Sequence, residues 1–200
     1  MSATASIEST LERYPLEVTL SDGRQLELRI VGAGDRKAIL AFARNLPEQD
    51  LLFLRVDITK PDAVDRWLAN VAEGTTLSLI AYDGDSMAGY ATVDRTPARW
   101  TRRVGELRLT VGQDYRGQGL GRHLSAKIFD IAKSLGLRKL TANMTPDQRG
   151  AQAAFQRLGF VAEALLTDFV EDRDGGLHDL VMMTFDVDGL TDHADHSLQL

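Results

Sequence analysis

The 200-residue chain, 44% hydrophobic and 26% charged, is long enough for one sizeable core and has neither a disordered nor a membrane composition. Its 29 acidic and 23 basic residues give a formal net charge of −6, which argues against a general nucleic-acid binder with its basic face and suits a cationic ligand better. The lack of cysteine excludes a disulfide framework, a thiolate metal site and a cysteine nucleophile.

The start, MSATASIESTLERYP, carries no basic region followed by an apolar core, and no apolar run approaches a membrane span. The expectation is one cytoplasmic domain with no membrane partner. Leu16 to Leu20 and Leu26 to Val31 flank Ser21-Asp22-Gly23-Arg24, where Asp-Gly is a strong turn signal, so a first hairpin is predicted. Helical periodicity covers about 34 to 46 and, after Pro61, 62 to 73. Residues 76 to 82 and 87 to 93 read as strands around Asp83-Gly84-Asp85-Ser86. The alternating strand 104 to 111 follows, then a helix whose Leu120, Leu124, Ile128, Ile131 and Leu135 share a face and which Gly136 terminates. A strand over 138 to 143 and a helix over 147 to 158 precede a last hairpin, 161 to 170 with 177 to 187. This order predicts an α+β fold, a mixed, mostly antiparallel sheet flanked by helices on both faces.

Between strand and helix stands Arg116-Gly117-Gln118-Gly119-Leu120-Gly121. A glycine-rich entry to a helix aims free amides at one point, where the positive end of the helix dipole also lies, and such a place suits a phosphate or pyrophosphate. The dinucleotide pattern GxGxxG fails, because Arg122 and Leu124 occupy the positions where its last glycine would fall. A Walker loop fails for want of Gly-Lys-Ser/Thr after Gly121. A purely structural connection, letting strand and helix pack closely, is the remaining alternative.

The R-x-x-G-x-G pattern after a strand, with Leu158-Gly159-Phe160 ending the later helix, resembles the GNAT N-acetyltransferase superfamily, and the two motifs fall in register. The resemblance covers about 24 to 187 and implies an acetyltransferase domain there, with 1–23 as an extension plus the first strand of a hairpin and 188–200 as a polar tail. It implies acetyl-CoA as donor, no metal, and direct acetyl transfer to a primary amine of a small molecule or protein. It also allows a homodimer.

Carried onto this chain, the pyrophosphate would be held by Gly117 and the amides of Gln118, Gly119, Leu120 and Gly121, with Arg116 and Arg122 supplying charge. Leu109 to Val111 would bond the pantetheine arm as an added strand, with the Val111 amide on the thioester carbonyl. Asn143 is either a further contact to the arm or the cap of a turn. Glu106 takes the place of the carboxylate that removes the amine's proton in many relatives; the alternative is a solvated strand residue paired with Arg108 or Arg103.

Two positions depart from the family pattern: Phe155 replaces the tyrosine that protonates the leaving thiolate, and Gln148 replaces an asparagine. These keep open a catalytically silent acyl-CoA-binding module with a sensing or partner-binding role. Asp50, Asp57 and Asp168 are conceivable contacts for a cationic amine, and Trp67 and Trp100 are either core or acceptor-site residues. Asp192-His193-Ala194-Asp195-His196 reads as a solvated end, and Asp172 and Asp174 as a hairpin turn; neither reads as a metal site.

Overall fold

A computed structural model describes residues 6–51, 56–96, 98–172 and 174–187. The element order is α1 (Ile7–Leu11), β1 (Leu16–Thr19), β2 (Gln25–Ile30), α2 (Arg36–Arg44), α3 (Glu48–Leu51), α4 (Pro61–Ala72), β3 (Thr76–Asp83), β4 (Ser86–Arg95), β5 (Val104–Val111), α5 (Leu120–Ser134), β6 (Lys139–Met144), α6 (Arg149–Arg157), β7 (Val161–Glu171) and β8 (Leu177–Asp186). Among these, α1 and α3 were not expected: five and four residues are too short to show a helical period. The tail with Asp192 to His196 lies outside the described residues, as do residues 52–55 of the front segment.

The eight strands form one sheet in the order β1-β2-β3-β4-β5-β6-β8-β7. Every neighbouring pair is antiparallel except β5 with β6. Alternation within the strands sends side chains to two cores, one on each face. On one face Leu28, Leu79, Ala91 and Leu107 pack with α5, whose Leu120, Leu124, Ile128 and Ile131 are all fully buried. On the other, Ile80, Tyr82 and Tyr90 pack with Ile39, Phe42 and Val64 of α2 and α4. Each such aliphatic side chain contributes about 1.5–3 kcal/mol on burial, so the motif helix is held by its apolar face.

Leu158-Gly159-Phe160 closes α6 as a glycine C-terminus does: Gly159 has φ +94° and the Phe160 amide reaches back to the Phe155 carbonyl at 3.0 Å. Phe160, 2% exposed, then joins Phe155, Phe129 and Phe185 at centroid distances of 5.0, 6.0 and 5.4 Å. A Phe160→Ala variant is expected to lose about 3–5 kcal/mol of stability in denaturant unfolding.

Candidate functional site

The sheet opens at one place. β5 stays paired with β4 from Gly105 to Val111, and β6 stays paired with β8 as far as Met144, but β5 and β6 share only Val104–Glu106 against Lys139–Thr141. Beyond Glu106 the two strands part. A β-bulge at Ala88 of β4 lies beside this opening, where it adds bend and twist.

The pairing decides which backbone groups face the gap. The Gly112 amide donates to Ala88 at 2.8 Å, so Thr110, Arg108 and Glu106 turn their backbone groups toward β4, and Leu109 and Val111 turn theirs to the open side. By the same count, from Val187 bonded to Arg138 at 2.9 Å, Asn143 faces the gap from β6. The predicted arm-binding residues Leu109, Val111 and Asn143 are therefore set along two strand edges that are not paired with each other. The turn after β6 is closed by Gln148, whose Oε1 accepts from the Thr145 amide at 3.0 Å, so the capping role goes to Gln148.

At the end of β5 the chain enters the glycine loop. Arg116 (φ −70°, ψ 145°) followed by Gly117 (φ +74°) has type II turn geometry, which needs a positive φ at its second residue. Gly119 stands at the helix N-cap with φ +90°, and a Cβ on either glycine would meet nothing within 4 Å. The first bond into the helix runs from the His123 amide to the Gly119 carbonyl at 3.1 Å, so the amides of Leu120, Gly121 and Arg122 stand ahead of the ladder at the positive end of the dipole. Gly121 lies flat against β5: a Cβ there would touch Leu109 and Val111 at 3.7 Å. An unobstructed cradle of helix-start amides continuous with an unpaired strand edge fits a ligand with a diphosphate and an amide-bearing arm.

Arg116 is not aimed freely at that cradle. Its Nε donates to the Val111 carbonyl at 3.0 Å, and its guanidinium pairs with Asp50 of α3. Asp50 is thus engaged with the loop. Asp57 accepts from Thr59 at 2.5 Å through the hydroxyl, and Asp168, at φ +50°, lies in the irregular stretch of β7 where its amide donates to Asp179 at 3.0 Å. Arg122 is exposed at the helix start.

Glu106 points to the α2/α4 face, its side chain 24% exposed. Arg108 lies 3.4 Å from it and 2.7 Å from Asp94, and Asp94 accepts from the Thr76 hydroxyl at 2.5 Å. The expected pairing with Arg108 therefore exists, yet the guanidinium's shorter contact is to Asp94. Beside this group, Tyr90 lies 4.9 Å from Trp67 and 6.1 Å from Phe42, and burial pushes its hydroxyl above the usual phenol range, so it stays protonated. Trp67, which donates to Ser78 at 2.9 Å, is half-buried against the α2/α4 core; Trp100 is 90% exposed in the β4–β5 connection. Phe155 is 7% exposed within the aromatic cluster. Asp172 accepts from the Asp174 and Gly176 amides and from His178 at 2.7 Å, which holds its carboxyl below the ordinary range and organises the last hairpin turn. Sequence reasoning did not anticipate Asp94; only strand pairing sets it across from Glu106.

The model of the Acetyltransferase (GNAT) family matches residues 41–160. N-alpha-acetyltransferase 30 of Schizosaccharomyces pombe is 25% identical over 108 residues, 54% of this chain and 72% of that protein. Streptothricin acetyltransferase of Streptomyces lavendulae is 32% identical over 89 residues, 44% of this chain and 46% of that one. Among solved structures, yncA of Salmonella typhimurium, with its cofactor acetyl-CoA, aligns at a TM-score of 0.69 and 20% identity, covering 84% of this chain and 96% of the other. No helix among the described residues is long and apolar enough to cross a membrane.

Proposed function

We propose, on the premise that this chain belongs to the acetyltransferase (GNAT) family, that it is an acetyl-CoA-dependent N-acetyltransferase acting directly on a primary amine of a small molecule or protein. The observation that carries this reading is the continuity of the amide cradle with the open edge of β5, on the strand that also bears Glu106. Gly117 and the amides of Gln118 to Gly121 would hold the diphosphate, with Arg122 at the rim. Arg116 acts chiefly by fixing the loop to Val111 and Asp50. The Val111 and Asn143 edges would hold the arm.

Bound there, acetyl-CoA supplies an activated acyl carbon and a thiolate leaving group. Glu106, in its carboxylate form, accepts the proton of the ammonium directly or through a water, so that the amine presents a lone pair. Val111 lies five residues from Glu106, roughly 16 Å along an extended strand, too far for both to serve one reacting centre. Leu109, three residues away and facing the same gap, is therefore the amide assigned to the acyl oxygen. As the C–N bond forms and the C–S bond breaks, the thiolate departs and the acylated nitrogen releases its remaining extra proton to solvent, so that the products are the amide and the CoA thiolate or thiol. A thiol of pKa near about 8.5 leaves tolerably near neutral pH, which is why Phe155 need not be a proton donor.

Titration calorimetry with acetyl-CoA, followed by thiol release over a panel of primary amines, tests the reading. Binding with amine-dependent release is expected. Binding without release for any amine would favour the silent module, which the buried Phe155 and the inward-turned Gln148 would suit. In Phe155→Tyr, turnover is expected to stay within about tenfold of wild type; a rise of a hundredfold or more would show a crippled site instead of one that works without this acid.

A further inference from the structure

The strand-loop-helix is gripped from behind by the β1–β2 turn, whose residues 21–24 lie outside the segment matched by the family model. The Ser21 amide donates to the Gln118 carbonyl at 3.1 Å and its hydroxyl donates to the Gln118 Oε1 at 2.7 Å. Arg24 donates to the Asp114 carbonyl at 2.8 Å, and its guanidinium lies 4.4 Å over the Tyr115 ring. Asp22 orients Arg24 through a 2.7 Å bond to its Nε, and the Tyr115 hydroxyl donates to Asp83 at 3.1 Å. Ser21, Asp22 and Arg24 of one turn and Asp83 of another thus converge on one loop.

The chemistry of the peptide unit gives these contacts a direction. In a planar trans peptide the C=O and the following N–H point to opposite sides. With the Gln118 carbonyl drawn onto Ser21, the Gly119 amide is turned away from the hairpin. The Gln118 side chain, spent on Ser21, is withdrawn from any ligand. Gly119 by itself leaves this peptide free to flip, because a glycine tolerates either sign of φ.

We propose that the Ser21–Arg24 turn is a positioning latch for the donor-binding loop, holding the Gln118–Gly119 peptide in the orientation that presents its amide to an anionic ligand. Ser21 and Arg24 are positioning residues that act through Gln118, Asp114 and Tyr115, without touching the ligand. This rests on the reading that the loop holds the acetyl-CoA diphosphate. The gain is preorganisation: amides fixed before binding cost no ordering when the ligand arrives.

The test uses the full chain with Ser21→Ala, Arg24→Ala and the double variant, each checked for an unchanged thermal transition. Calorimetry with acetyl-CoA should show the dissociation constant rising about tenfold in the double variant, with kcat at saturating donor and its pH profile unmoved. Ser21→Thr, which restores the hydroxyl, should recover wild-type affinity. Hydrogen exchange of the bonded amides of residues 21, 115 and 116 in the ligand-free protein should quicken in the variants. If wild type binds acetyl-CoA and the folded double variant binds equally well, the latch is overturned alone. If wild type binds none, the donor reading falls and the latch with it. Should the double variant fail to fold, the exposed single change Ser21→Ala decides: unchanged affinity and unchanged exchange at the amides of residues 21, 115 and 116 overturn the proposal.

Discussion

A Glu106→Gln variant is expected to bind acetyl-CoA with wild-type affinity and to lose about a hundredfold or more in turnover, because an amide of the same shape cannot accept the amine's proton. The scaffold should survive the change. Arg108 keeps its 2.7 Å contact to Asp94, the shorter of its two, and Asp94 remains bonded to Thr76. The diagnostic readout is a fall in kcat with donor affinity unmoved. A normal rate in the glutamine variant would remove Glu106 from the mechanism. Steady-state rates over a range of buffers, with donor affinity measured separately by calorimetry, separate loss of chemistry from loss of binding.

Gly119→Val is expected to abolish donor binding, raising the dissociation constant by about a hundredfold or more, while leaving a folded protein. Two effects combine. At φ +90° a β-branched residue is strained by roughly 1–2 kcal/mol, and the loop would relax away from the conformation that presents its amides. On the donor-binding reading, the space around the glycine, where a Cβ meets nothing within 4 Å, is also where the diphosphate would sit. Gly136→Val supplies the control, since Gly136 has φ +69° and similarly open surroundings at the other end of α5. That variant should pay a comparable cost in stability and bind acetyl-CoA normally. Equal binding by both would show that the loop does not hold the donor.

The acyl-transfer reading places the donor along β5 and the acceptor over the α2/α4 face, where Glu106, Arg108 and Asp94 form a charged group beside Tyr90 and Trp67. This division follows from the strand's alternation. Backbone groups in the sheet plane serve the arm, whereas side chains perpendicular to it serve the acceptor, so one strand can address two substrates without either blocking the other. The pairing of Asp50 with Arg116 couples α3 to the donor loop.

The sequence by itself determined the eight strands, the four longer helices and the motif. Alternation marked β3, β4 and β5, the 3.6-residue spacing of Leu120, Leu124, Ile128 and Ile131 marked α5, and Asp-Gly marked the first turn, because these signals depend on neighbours within a few residues. Glycines at 117, 119 and 159 were informative for the same local reason: each occupies a conformation that a side chain resists. Only the tertiary structure decided what stands beside what. The parting of β5 from β6 after Glu106, the amide register that turns Leu109 and Val111 to the gap, the seat of Asp94 across from Glu106, and the grip of Ser21 and Arg24 on a loop ninety or more residues away all depend on strand order and register. Those are settled by long-range pairing and by burial of two separate cores, and such contacts leave no periodic trace along the chain.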